Sequence, residues 1–158
     1  MPLSSIRFFL PESTIDLENS RSPRQMETHD LLQCFAGDVE FVAEDGKTIM
    51  RVVDAPIFRF AFDLANAVNT ICAGERSTSF VDFYGEFEIL MERLTEEEMR
   101  VTNTATGEGF LACQATLVHA LREAIDILCP DVETRIPMLI ANIHYQSLRK
   151  SLTCFAAT

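Results

Sequence analysis

PIFRFAFDLANAVNTICAG, residues 56–74, is the stretch whose reading decides the fold. Advancing about 100° per residue places Ile57, Ala61, Leu64, Ala65, Val68, Ile71 and Cys72 on one arc. Arg59, Asp63, Asn66 and Thr70 fall opposite, so the spacing predicts an amphipathic helix. Phe58 and Phe62 widen the apolar arc enough to touch more than one neighbour. Asp54 or Ala55 is the expected N-cap, Pro56 suits the first turn, and Gly74 suits a left-handed stop.

The residues before this helix predict a hairpin. Asp38 to Glu44 and Lys47 to Val53 flank Asp45-Gly46, a preferred pair for a two-residue turn. Folding there sets Glu40 against Arg51 and Glu44 against Lys47 on one face. Phe41 then meets Met50 and Val39 meets Val52 on the other, while Val42 and Ile49 face solvent. Further upstream, Ile6 to Leu10 reads as an edge strand. Residues 11–30 read as a long, polar, mobile loop anchored only by Ile15, Leu17 and Met26.

Downstream, Val81, Phe83, Phe87, Ile89 and Met91 keep one parity, and Asp82, Glu86, Glu88 and Glu92 keep the other. That alternation predicts a bent strand, or two strands in line, over 80–93, with Gly85 at the bend. Thr95 to Glu98 turns the chain and Met99 to Thr104 returns antiparallel. Phe110 to Cys113 is a short last strand or an early helical turn. Leu117 to Leu128 reads as a second helix, ended by Cys129-Pro130. Pro137 opens a third that runs to about Ser151, with Leu139, Ile140, Ile143 and Leu148 facing in. The expected class is α+β: an antiparallel sheet of about five strands with two or three helices packed on one face.

A chain of 158 residues fits a single domain with its own core. Five cysteines without a CxxC pair suggest neither a disulfide framework nor a zinc site. No segment resembles a secretory signal, a membrane span or a prenylation box, so the expected compartment is the cytoplasm. The net charge of −11 argues against nucleic acid or an anionic membrane as partner. The acidity is local. Residues 74–110 hold nine acids and three bases, a net of −6, whereas residues 111–158 hold four of each.

Signatures of catalysis are missing: no Walker loop, Rossmann glycine pattern, HExxH, GxSxG or EF-hand loop occurs. His119 and Glu123 are four apart on a polar helix face, the spacing of a solvated helix pair. His144 reads as a hydrogen-bonded core histidine. His29 and Cys34 form a conceivable nucleophile pair without geometry to support it. The seven carboxylates of Asp82, Glu86, Glu88, Glu92, Glu96, Glu97 and Glu98 stand out instead. Their plainest role is a solvated outer face; their functional role is to steer and dock a basic protein. Calcium binding needs converging oxygens, and a strand face spreads them about 7 Å apart.

The expected function is therefore a non-enzymatic acidic binding protein, monomeric or homodimeric, without cofactor or metal. An inhibitor of the immunity type fits best. Bacterial immunity proteins, which block toxic nucleases, share this profile of size, acidity and absent catalytic motifs, although no residue motif of such a family is present. A small acidic secretion-type chaperone is the first alternative. An enzyme with an unrecognised Asp/Glu or Cys/His site is the second.

Overall fold

A computed structural model describes residues 2–82 and 85–155. Among them are seven strands in two antiparallel sheets, with five α-helices, so the class is α+β. The expected single sheet of about five strands is corrected to one of three and one of four. Strands β1 (Leu3–Phe9), β2 (Ala36–Ala43) and β3 (Thr48–Pro56) form the first sheet in that order, with β1 at an edge. Strands β4 (Ser77–Val81), β5 (Glu88–Arg93), β6 (Glu98–Asn103) and β7 (Gly109–Cys113) form the second as a meander. The sheets meet at a bridge between Pro2 and Leu111, and the rings of Phe41 and Phe110 pack at 5.1 Å.

The helix at 57–72, here α3 (Ile57–Cys72), packs on strands of both sheets. Its predicted arc is buried apart from the half-exposed Cys72, and the buried surface extends round to Phe58, Phe60 and Ala67. Phe60 touches the rings of Phe80 and Phe87 at 5.4 and 5.6 Å, tying α3 to the second sheet. Pro56 is the N-cap, so the helix starts one residue later than expected and without a side-chain cap. Gly74 stops it at φ +108°. The Arg93 guanidinium donates to the Ile71 carbonyl, satisfying part of the C-terminus from β5.

The β2–β3 hairpin has the predicted central register, with Val39, Glu40 and Phe41 opposite Val52, Arg51 and Met50. Its tip differs. Gly46 N–H donates to the Ala43 carbonyl at 3.0 Å and Ala43 N–H to the Lys47 carbonyl at 2.9 Å. Gly46 has φ +85° whereas Asp45 is not left-handed. A two-residue I′ turn needs positive φ at both, so this is a wider turn closed by a glycine bulge. The bulge shifts Val42 opposite Thr48; Val42 is buried and Ile49 packs half-buried against the core, correcting the solvent-facing assignment of both.

Three further expectations fail. Residues 11–30 are not a loop: they carry α1 (Glu12–Asn19), a 3-10 turn (Pro23–Gln25) and the start of α2 (Thr28–Gln33). Long-range donors hold them, Arg135 to the Glu12 carboxylate and to the Leu10 carbonyl just before them, and Asn142 to the carbonyls of Pro23 and Met26. Pro130 does not end the second helix, since α4 runs Gln114–Arg135. It lies on an exposed face, where water can serve the Asp126 carbonyl that lacks its amide partner. The third helix is broken into a 3-10 turn (Pro137–Ala141) and α5 (Ile143–Thr153), with Asn142 accepting from His144 and Tyr145 N–H as N-cap. The break resets the helical phase. Leu139 and Leu148 are buried as expected, but Ile140 and Ile143 point outward and Tyr145 and Leu152 take the core.

Candidate functional site

The 80–93 segment is neither bent nor in line; it folds back as the β4–β5 hairpin, with Val81 opposite Glu88 and Ser77 opposite Glu92. Gly85, at φ +73°, donates to the Asp82 carbonyl in the connecting turn. Paired residue numbers in this hairpin add up to an odd number, so odd residues of β4 share a face with even residues of β5. The apolar parity read along the sequence therefore changes sides at the turn. Val81 is 58% exposed and Asp82 only 7%, the reverse of expectation. Phe83 lies outside the described residues.

The outer face of the second sheet follows from the registers. It carries Ser77, Ser79 and Val81 on β4, Glu88, Leu90 and Glu92 on β5, Glu98, Arg100 and Thr102 on β6, then Leu111 and Cys113 on β7. Of the seven expected acids, Glu88, Glu92 and Glu98 share this face. Glu96 and Glu97 stand beside Glu98 at the β5–β6 turn, and Glu86 is exposed in the β4–β5 turn at the opposite end. Asp82 is separated from all of them by burial. On this face Glu92 lies 3.9 Å from Arg100.

The β5–β6 turn is held firmly. Thr95 Oγ1 accepts from the Glu97 and Glu98 amides, and Gln114 N–H donates to the Glu97 carbonyl at 2.8 Å. This pins the backbone that carries these glutamates against the start of α4, beside a groove of about 1150 Å³. Glu96, Glu97, His119 and three thiols, Cys72, Cys113 and Cys154, line it. Across the groove, Arg122 fixes the C-terminal segment by donating to the Phe155 carbonyl and lying over its ring.

The thiols differ in character. Cys113 caps α4, and hydrogen bonds from the Thr116 hydroxyl and amide, then the Ala115 amide, hold its pKa below the ordinary value. Burial raises Cys72, and raises Cys129 to about 11. Burial and the neighbouring Glu18 raise Cys34, while His29 contacts Glu27 and Asp30, so neither residue is set up as a nucleophile pair. A single N-cap position gave Cys113 away in the sequence, but only to a reader who starts α4 three residues before its apolar stripe. Under native conditions a thiol reagent should label Cys113 first and Cys129 last, as followed by mass spectrometry at neutral pH. Equal rates would show that the Thr116 contacts do not act on the sulfur.

His119 forms the expected pair with Glu123, at 3.3 Å, and His144 is exposed near the Thr28 hydroxyl rather than in the core. Among the described residues, no three His, Cys, Asp or Glu side chains are grouped to hold a metal ion, and no helix is long and apolar enough to cross a membrane. Comparison with protein-family models, curated proteins and solved structures yields no match.

Proposed function

We propose that the chain is a cytoplasmic, non-enzymatic binding protein, monomeric or homodimeric, that docks a basic protein and inhibits it in the manner of an immunity protein. The observation behind this reading is the rigid, acid-bearing end and outer face of the second sheet: Glu88, Glu92, Glu96, Glu97 and Glu98, opposed by one ion-paired arginine. Like charges gathered on one face and end of a sheet repel one another in the isolated protein, a cost that recovers its use when a cationic surface arrives. The adjoining groove supplies concave relief next to the charge. Glu86 lies apart from this cluster, and buried Asp82 has no place in the contact surface.

Glu96→Lys with Glu97→Lys tests the reading, because both side chains are exposed and neither packs in the core. The double variant should melt like the wild type. Its association rate with a basic partner recovered by affinity capture should fall at least about tenfold at low salt. The wild-type rate should drop as salt shortens the screening length to about 8–10 Å. Rates that ignore both salt and charge reversal would overturn the proposal.

A further inference from the structure

The open edge of the second sheet is β4. Among the described residues, no strand lies beyond it. Hydrogen bonds from Arg93 N–H to the Arg76 carbonyl and from Asp82 N–H to the Phe87 carbonyl bracket the β4–β5 ladder. Both pairs add to 169, as do all pairs in the register, so residues 76, 78, 80 and 82 bond inward to β5. The N–H and C=O groups of Ser77, Ser79 and Val81 consequently point away from the sheet. These three residues are also the exposed ones.

The usual protections of an edge are missing from β4. STSFV contains no proline, no lysine and no charge, and no bulge interrupts its pairing. Two carboxylates nevertheless stand beside the strand on its outer face, with the exposed Arg76 preceding it and Arg100 two strands away. On the outer face the small side chains of Ser77 and Ser79 leave a low strip, and behind it rise Glu92 and Glu88. The Thr104 hydroxyl donates to one Glu88 oxygen, and Arg100 lies 3.9 Å from Glu92, contacts that orient the two carboxylates. On the inner face Phe80 is half-buried against Phe60.

We infer that β4 is a strand-addition site for an extended, basic segment of the docked partner, an inference that rests on the function proposed above. An added strand would lie about 5 Å from β4 and about 10 Å from β5. From there, outward lysine or arginine side chains can reach over the serines to Glu88 and Glu92. The alternate residues, pointing inward, meet Thr78 and Phe80 and favour apolar side chains. The segment recognised is therefore extended, with basic and apolar residues in alternation, its main chain bonding to Ser77, Ser79 and Val81. Self-pairing of two β4 strands is disfavoured, because it brings two acidic sheets together.

The test uses a synthetic peptide of alternating lysine and valine, about nine residues long, titrated against the full chain by calorimetry. It is repeated with the same peptide N-methylated on alternate residues, which removes main-chain donors from one side and leaves charge intact. Ser79→Pro is the matching protein variant: its N–H lies outside the ladder, and edge positions tolerate proline. Binding of the plain peptide, weakened at least tenfold by Ser79→Pro and by N-methylation on one phase, is the expected result. The N-methylated arm keeps the test valid if Ser79→Pro does not fold. Equal binding in all arms, lost only on charge reversal at Glu96 and Glu97, would overturn strand addition and leave acidic docking standing. No binding of the plain peptide would overturn the edge site, while the rate measurements above judge docking independently. A wild-type dimer in sedimentation that Ser79→Pro makes monomeric would assign the edge to a second copy and overturn the proposal.

Discussion

Phe58→Ala should lower the unfolding free energy by about 3–5 kcal/mol, the cost of emptying a fully buried aromatic site. Phe58 is completely buried near the start of α3, between Phe35 at 5.1 Å and Tyr145 at 5.9 Å, both edge to face. Its two neighbours come from opposite ends of the chain. Phe35 follows α2, and its carbonyl accepts from Ile57 N–H; Tyr145 lies in α5. Removing the ring therefore opens a cavity where three separate segments meet and cannot all collapse inward. Asn66→Ala, on the exposed side of the same helix, should change stability by less than about 0.5 kcal/mol. At roughly 2–4 °C per kcal/mol, the first change lowers Tm by about 6–20 °C and the second hardly moves it. Urea melts of the two variants that coincide would show that α3 is not the centre of the core.

The same residues explain why α3 was legible in the sequence and the helices around it less so. An amphipathic stripe is a local property: sixteen residues carry their own periodicity, and burial follows it. The β2–β3 register was legible for a similar reason, since Glu40–Arg51 and Phe41–Met50 agree in charge and in apolarity. The segment 11–30 lacks that redundancy. Its order comes from residues more than a hundred positions away, Asn142 donating to the carbonyls of Pro23 and Met26 and Arg135 to the Glu12 carboxylate, and no local pattern announces such partners.

The acidic site was legible as a composition and not as a geometry. Alternation over 81–91 is equally satisfied by one long strand and by a hairpin whose turn moves the apolar parity to the other side. The deciding sign was present in Asp82 and Gly85, which occupy the first and fourth positions of a turn, where Asp and Gly are favoured. Reading that turn takes Asp82 off the acidic face and leaves β4 as an edge. It also brings Glu92 beside Ser77 rather than at the far end of a long strand. The groove beside Glu96 and Glu97 was not legible at all, because it is built from the ends of α3 and α4 and the C-terminal segment, which nothing in the sequence places together.

Gly37→Ala should destabilise the protein by about 3 kcal/mol, at the upper end of the usual cost of overpacking. A Cβ built on Gly37 would lie 2.0 Å from the Phe9 carbonyl oxygen and 3.1 Å from Ile57 Cγ1. Neither obstacle can move cheaply. The oxygen is main chain in a strand whose Phe9 pairs with Asp38, and the next carbonyl, that of Leu10, is held by Arg135. Ile57 is the first residue of α3 and is fully buried. Relief therefore demands that β1 separate from β2 or that the start of α3 shift. Gly46→Ala is the informative comparison. Its new methyl has no heavy atom within 4 Å, and only the left-handed φ of +85° opposes it, at about 1–2 kcal/mol. Gly37→Ala should thus be the less stable of the two in parallel urea melts, although Gly46 has the more unusual backbone. The opposite order would mean that β1 does not cross so closely over β2, and that the junction leading into α3 is looser than its contacts imply.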